Sequence, residues 1–190
     1  PKRDWSSDVC SSDLEDVTGI NQTLDLWSGT VTSEYLLANA PVKVVVACDP
    51  ARDVLAIRIE SPLVSGGRLG VRLVVPRGHD VKTKNNPALD FSAPESHSTK
   101  IVAQNERLLL FDHVRDESHY FGAVFGASPL NAQWNGEHEF RLSVTDGNVL
   151  ELTVGFSLGR ARALPGTAEV FSSSRREWEK LWQSGGAIDF

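Results

Sequence analysis

The feature that most constrains the fold is an alternation of apolar and polar side chains with a period of two residues, running from about residue 15 to residue 159. It is clearest in four segments, residues 55–60, 69–75, 140–145 and 150–158. Because successive side chains of a strand point to opposite faces of a sheet, this pattern is typical of half-buried strands. The sequence therefore predicts an all-β fold.

Turn residues separate these strands at short intervals. The predicted strands lie near residues 23–38, 42–48, 53–61, 67–75, 99–105, 107–114, 118–125, 140–145 and 150–158. The Asp146-Gly147-Asn148 turn predicts that the last two pair as a hairpin, since glycine adopts positive φ without a Cβ clash. Strands that follow one another with no helix between them favour antiparallel pairing, so we expect a large two-sheet sandwich, or supersandwich.

Two segments depart from the alternation. Residues 77–98 contain two asparagines, two prolines and few apolar side chains, which predicts a loop of about twenty residues, a length that is usually functional or disordered. After Pro165-Gly166 the period changes to that of a helix. We therefore expect a sandwich domain over residues 15–165 and a linker helix within residues 166–190.

The predicted helix has recognisable ends and one apolar face. Ser174 and Glu177 have the spacing of a capping box, and Gly185-Gly186 supplies a stop. Trp178, Leu181 and Trp182 fall on one face, which must pack on something. Two alternatives are open: the face packs on this sandwich, or on a following domain.

Composition excludes several functions. The chain of 190 residues has 19 Lys and Arg against 25 Asp and Glu, a net charge of −6, and no basic run. We therefore expect no nucleic-acid partner. No stretch approaches the roughly 18 apolar residues of a membrane helix, so no membrane partner is expected. Cys10 and Cys48 are too few for a disulfide framework or a four-cysteine zinc site.

The first fourteen residues carry neither strand nor helix periodicity. Residues Asp4 to Leu14 resemble the conceptual translation of a widely used sequencing adapter. We expect residues 1–14 to be adapter-derived, disordered and outside the fold, as a cloning scar would be. The sequence also contains no methionine, and we expect it to be part of a longer protein.

No catalytic residue, cofactor site or metal site is predicted. Nucleotide-binding and hydrolase motifs are missing, and the acidic residues are scattered over turns and outward-facing strand positions. The spacing of the five histidines matches no ligand signature, so we expect ordinary surface or rim side chains, although His113 and His119 could meet across a hairpin. The five are His79, His97, His113, His119 and His138.

The long loop is the predicted contact surface for a sugar. Asp90, Phe91, Glu95 and His97 combine a ring for stacking with groups that hydrogen-bond hydroxyls. Trp27 breaks the local alternation and is a second candidate ring. The alternatives are a solvated loop with Phe91 tucked into the sandwich, and a core-edge position for Trp27.

Three stretches, within a region from about Thr23 to Phe190, resemble the N-terminal part of six-hairpin glycosidase-like proteins. They are Leu24-Asp25-Leu26-Trp27-Ser28-Gly29, Asp49-Pro50-Ala51-Arg52-Asp53, and Trp178-Glu179-Lys180-Leu181-Trp182 with its continuation to Phe190. Phe91 stands where a tryptophan is more usual in the family. The resemblance implies the architecture of maltose phosphorylase and its relatives, in which a β-supersandwich and a helical linker precede an (α/α)6 barrel that carries the catalytic acids.

The resemblance implies a non-catalytic role for this segment of a glycoside hydrolase or phosphorylase. Trp178, Leu181 and Trp182 would pack against the missing C-terminal catalytic domain, and the loop residues with Trp27 would edge its carbohydrate site. One alternative is a free-standing carbohydrate-binding module that uses Trp27, Phe91 and Trp134. Another is a structural sandwich with no ligand.

Overall fold

A computed structural model describes residues 16–77, 93–136, 138–159 and 163–185 of the chain. These residues form eleven strands followed by one α-helix, α1 (Thr167–Gly185). The strands are β1 (Val17–Asp25), β2 (Thr30–Leu37), β3 (Ala40–Cys48), β4 (Val54–Glu60), β5 (Val71–Val74), β6 (Ser98–Gln104), β7 (Leu108–Arg115), β8 (Ser118–Gly126), β9 (Asn131–Trp134), β10 (Glu139–Ser143) and β11 (Val149–Ser157).

The strands form two antiparallel sheets of unequal size. The large sheet has eight strands in the order β1-β2-β3-β4-β11-β8-β7-β6, and the small sheet has three in the order β5-β10-β9. The prediction of an all-β sandwich followed by a helix is therefore confirmed. The long loop is only partly described, because residues 78–92 lie outside the described ranges, and its end contains a single 3-10 turn, Pro94–Ser96.

The main core lies between the two sheets. Phe111 of β7 and Phe140 of β10 are fully buried, with ring centroids 5.0 Å apart across the sandwich. Leucines from β7, β10 and β11 surround them. Burial of these large apolar side chains, at about 25 cal/mol per Å² of apolar surface, is the main force that holds the small sheet on the large one.

The helix covers the opposite face of the large sheet. Val170 of α1 packs against Val54 and Ala56 of β4 in a second apolar cluster. The odd-numbered neighbours Ile57 and Ile59 pack in the main core, so β4 is covered on both faces. The sheet is thus sandwiched between the small sheet and α1.

The predicted hairpin through Asp146-Gly147 is wrong. β10 pairs with β5 and β9, whereas β11 pairs with β4 and β8, so the turn carries the chain from the small sheet to the large one. Gly147 does adopt a positive φ, of 82°. Two strands that face each other across a core show the same alternation as two paired strands, and this arrangement buries both apolar faces.

Strand boundaries also differ from the prediction. The predicted strand 23–38 is two strands, β1 and β2, joined by a turn at residues 26–29. The predicted strand 67–75 is reduced to β5, after a 3-10 turn at Ser65–Gly67. β9 was not predicted.

The predicted capping box is wrong as well, because α1 begins at Thr167, upstream of Ser174. Ser174 lies inside the helix, is 1% exposed, and its hydroxyl donates a hydrogen bond of 2.9 Å to the carbonyl oxygen of Ser28. Val170, which packs on β4, lies N-terminal to Ser174, so the helix includes a first part that the local capping signals do not predict.

Candidate functional site

Two features of the described residues have the character of a site: a surface of tryptophans and a buried cluster of histidines. We call Trp27, Trp178, Leu181 and Trp182 the tryptophan patch. Trp27 lies in the β1–β2 turn, and the other three lie in the C-terminal half of α1. The Trp182 ring centroid is 6.1 Å from that of Trp27 and 6.0 Å from that of Trp178. The fold thus brings the predicted sugar-stacking ring together with the three predicted packing residues.

A local hydrogen-bond network shapes the turn that carries Trp27. The carboxylate of Asp25 accepts hydrogen bonds from the Ser28 hydroxyl, at 2.5 Å, and from the backbone N–H of Trp27, at 3.0 Å. This is the way aspartate commonly closes a turn. The Ser28 hydroxyl, and next the Trp27 N–H, lower the pKa of the Asp25 carboxyl. The carboxylate is therefore ionised and committed to the turn.

The helix is fastened to that turn at three points. The Trp182 indole N–H donates to the Leu26 carbonyl oxygen at 2.6 Å, and the Ser174 hydroxyl bonds Ser28 as described above. The Trp178 ring lies directly on Gly29, where an added Cβ would fall 1.9 Å from Nε1. Glycine is required there for two reasons, since its φ is also +63°.

The patch is held rigidly and yet remains accessible. Trp27 is 59% exposed and Leu181 is 50% exposed, and Leu24 and Leu26, which precede Trp27 in the chain, are also more than half exposed. Trp178 and Trp182 are partly buried. The first alternative for the helix face is met in part, because Trp178 and Trp182 pack on the β1–β2 turn of this sandwich while Leu181 presents apolar surface to solvent. Packing of this face on a following domain stays a prediction. Contiguous exposed apolar surface commonly marks an interaction site.

The other residues predicted to bind sugar lie apart from the patch or outside the described ranges. Glu95 is exposed in the 3-10 turn, and His97 is buried. Asp90 and Phe91 lie outside the described residues. Trp134 of the small sheet is 38% exposed, and its ring meets the Phe140 ring edge-on, with centroids 5.0 Å apart.

Three histidines meet inside the fold. His97, His113 and His138 each bring one ring nitrogen to within 4.8 Å of the others. Their exposed fractions are 9%, 0% and 8%, so the expectation of surface or rim histidines is wrong for all three. His97 precedes β6, His113 lies in β7 and His138 precedes β10. We call these residues the histidine cluster.

Hydrogen bonds fix the tautomers of two members of the histidine cluster. His138 Nε2 lies 3.0 Å from the Pro94 carbonyl oxygen, which can only accept, so Nε2 carries a proton, and in the neutral imidazole Nδ1 then has the lone pair. The Thr99 hydroxyl, 2.7 Å away, donates to that Nδ1. Its one proton is then used, so His113 Nδ1, at 2.9 Å, donates to Thr99 Oγ1. His113 Nε2 is left with a lone pair.

The environment keeps His113 neutral. Burial is the largest cause, followed by the neighbouring His97 and His138, and together they lower its pKa to about 4. The Tyr120 ring covers it, with centroids 4.8 Å apart. His113 is therefore an uncharged imidazole at neutral pH.

The anticipated meeting of His113 and His119 does not occur. In the β7–β8 ladder His113 pairs with Tyr120, and His119 pairs with Val114. Adjacent residues of a strand point to opposite faces, so the two histidines lie on opposite sides of the sheet. His119 instead approaches Asp112, with Nε2 3.7 Å from a carboxylate oxygen. His79 lies outside the described residues.

Three described carboxyl groups have a pKa shifted in the direction opposite to that of a glycosidase acid. Asp25, Asp49 and Glu139 all have a lowered pKa, the latter two mainly because Arg52 and Arg72 donate hydrogen bonds to them. An open groove of about 590 Å³ is lined in part by Glu34 and Glu60. Each of these is paired with a cation, Lys43 at 3.1 Å and Arg58 at 2.6 Å.

Comparison with models of known protein families gave no match, and comparison with curated protein sequences gave no significant similarity. The fold and the patch define the class: an antiparallel β-sandwich with a C-terminal helix that carries an exposed aromatic surface.

Within the part of the chain that the structure describes, no helix has the length and apolarity needed to cross a membrane.

Proposed function

We propose that this chain is the non-catalytic N-terminal sandwich domain of a six-hairpin glycosidase-like protein, and that its tryptophan patch packs against the catalytic helical barrel. The observation that carries the proposal is a cluster of aromatic side chains at the β1–β2 turn, in which Trp27 is exposed and Trp182 is fixed by a hydrogen bond to the Leu26 carbonyl oxygen. The residues that resemble the family motifs, at positions 24–29 and 178–182, are the same residues that build this patch.

The chemistry of the patch suits a protein partner. Tryptophan is enriched in the central, desolvated part of interfaces, and the charged residues that dominate ordinary surfaces are depleted there. Because Trp182 and Trp178 are already ordered against residues 26–29, a partner would not have to restrict their rotamers. The binding free energy of such a preorganised surface is correspondingly more favourable.

The electrostatics support a non-catalytic role. Cleavage of a glycosidic bond needs a carboxyl group that is kept protonated, with a raised pKa, opposite a second carboxylate. Among the described residues, the carboxyl groups whose pKa departs clearly from its usual value all have it lowered. The acid and its partner would then reside in the barrel, as the resemblance implies.

The proposal is tested by extending the reading frame in the source DNA beyond residue 190 and expressing the longer chain. We expect helical hairpins with inward-facing acids, and hydrolysis or phosphorolysis of an oligosaccharide by the longer chain but not by the 190-residue chain. Oxidative footprinting read by mass spectrometry should show Trp27 and Leu181 protected in the longer chain. Trp134, on the small sheet, is the matched control and should remain equally reactive. Turnover by the 190-residue chain alone, or equal labelling of Trp27 in both chains, would contradict the proposal.

The exposure of Trp27 favours a second candidate, a carbohydrate-binding module. A flat ring that is 59% exposed is suited to stacking on a sugar. Calorimetric titration of the 190-residue chain against a panel of glycans separates the two. Millimolar or tighter binding that is lost in Trp27→Ala and kept in Trp134→Ala would support the module.

A further inference from the structure

We propose that His97, His113 and His138 bind a divalent transition-metal ion, with zinc as the reference ion, and that the ion fastens the two sheets to each other. The inference does not depend on the proposed function, because the histidine cluster shares no residue with the tryptophan patch. It rests on the donor set, the hydrogen bonds and the distances within the cluster.

The donor set is that of a transition metal. Three imidazoles converge, and their ring nitrogens lie within 4.8 Å of one another. Imidazole suits zinc, copper and nickel, whereas calcium and magnesium prefer oxygen ligands. Three histidines with an open fourth position is an established zinc arrangement.

The hydrogen bonds present lone pairs to such an ion. His113 Nε2 is buried and has no hydrogen-bond partner among the described residues, which is unusual for a polar atom in a folded interior. His138 keeps its Nε2–H on the Pro94 carbonyl oxygen, and so its Nδ1 is available once the Thr99 hydroxyl turns away. Metal-binding histidines typically donate their second ring N–H to a carbonyl or similar acceptor, which is the role of Pro94 here.

The required rearrangement is small. Ligands at 2.0–2.1 Å from a tetrahedral ion lie about 3.3 Å from one another. The nitrogens, at most 4.8 Å apart, would therefore close by about 1.5 Å or less. The His97 and His138 rings are stacked, with centroids 3.7 Å apart, so the His97 ring would have to rotate out of this stack to bind the ion together with His138.

The three ligands come from parts of the fold that the ion would join. His113 belongs to the large sheet, His138 immediately precedes β10 of the small sheet, and His97 follows the 3-10 turn at the end of the long loop. His138 has a φ of +71°, which is uncommon outside glycine, and holds its ring against Pro94. A bound ion would oppose separation of the sheets and would hold the 3-10 turn Pro94–Ser96 against them.

The test is metal titration of the 190-residue chain after dialysis against a chelator. Isothermal calorimetry with ZnCl2 should give one ion per chain, and free zinc at 100 times Kd should raise Tm by about 5–10 °C. With Co²⁺ the visible spectrum should be that of a tetrahedral nitrogen site, without the charge-transfer band of a thiolate. Failure to bind Zn²⁺, Co²⁺, Ni²⁺ or Cu²⁺ above background would overturn the proposal.

Variants identify the ligands. His97→Ala and His138→Ala should each weaken zinc binding by about 100-fold or more, and Thr99→Val, which removes only the positioning hydroxyl, by about 10-fold. Cys48→Ser and His119→Ala are controls, since both side chains are exposed potential ligands outside the cluster. Loss of binding in either control with retention in Thr99→Val would place the ion elsewhere and refute the proposal. If a histidine variant does not fold, anomalous diffraction from zinc-grown crystals of the unaltered chain decides the position.

Discussion

Replacing Gly29 with alanine should detach the C-terminal half of α1 from the β1–β2 turn. The new Cβ would lie 1.9 and 2.1 Å from two atoms of the Trp178 indole and 2.9 Å from Ser174 Oγ. None of these contacts is possible, so either Trp178 or the turn must move. Both hydrogen bonds between the helix and the turn, those of Ser174 and Trp182, depend on the present approach.

The expected loss in the free energy of unfolding has two parts, and a second glycine in the chain allows them to be separated. A non-glycine residue in the left-handed region costs about 1–2 kcal/mol, and overpacking adds about 1–3 kcal/mol. Gly29→Ala should therefore lower the free energy of unfolding by about 2–5 kcal/mol. Gly19 has the same φ of +63°, but a Cβ there would meet nothing within 4 Å. Gly19→Ala should show the conformational cost alone.

The assay is urea unfolding of the two variants and the unaltered chain, followed by tryptophan fluorescence and far-ultraviolet circular dichroism. The near-ultraviolet signal should change in Gly29→Ala alone, because the near-parallel Trp178 and Trp182 rings separate. Equal destabilisation by the two substitutions would refute the view that Trp178 fills the space above Gly29.

Two further predictions concern the interior. The pKa of Asp49, whose side chain is 1% exposed, is lowered chiefly by the hydrogen bond that Arg52 donates to it. The ionised Asp49 therefore stabilises the fold above the unfolded pKa of about 3.9, and this stabilisation is lost as the pH falls through the lower folded pKa. Asp49→Asn should cost about 1–3 kcal/mol at pH 7, and urea titrations at several pH values should show the difference from the unaltered chain shrinking below pH 4; a constant difference would count against this cause. Gly122→Ala would place a Cβ 2.1 Å from the Phe111 ring and should lower the free energy of unfolding by about 1–3 kcal/mol. Gly159→Ala, where a Cβ would meet nothing within 4 Å, is the control and should leave the free energy of unfolding almost unchanged in the same urea titration. Equal effects of the two substitutions would be inconsistent with close packing of the Phe111 ring on Gly122.

The alternation predicted most of the strands and which of their side chains face the core, but not β9 and not the partner of each strand. Ile57 and Ile59 point into the core as their phase indicates. The predicted pairing of β10 with β11 was wrong, because alternation of apolar residues indicates which face of a strand is buried but not which strand lies beside it. The prediction from the turn residues was right that Gly147 adopts a positive φ, and it was wrong that the strands on either side of the turn pair with each other.

One member of the histidine cluster, His113, could have been recognised from the alternation pattern, although not from the spacing of metal-ligand motifs. His113 continues the inward phase of Leu109 and Phe111, and Thr99 pairs with it across the β6–β7 ladder. A polar side chain at an inward position must find a partner, so a histidine in that phase indicates a buried polar contact. Its companions His97 and His138 come from other elements, and only the folded chain brings them to it.

Edge strand β1 would extend the surface that the proposed barrel has to cover. Every residue of β1 after Val17 is exposed, including Ile20 at 70% and Leu24 at 57%. An exposed edge with apolar side chains invites non-specific pairing unless it is covered or charged. A partner that contacted the tryptophan patch alone would leave this edge open. If the proposed barrel packs on this domain, the protected footprint should run from α1 over the β1–β2 turn and along β1. Ile20→Lys should then weaken association with that barrel, as should Leu181→Lys, and an Ile20→Lys variant that associates as tightly as the unaltered chain would show that β1 lies outside the interface.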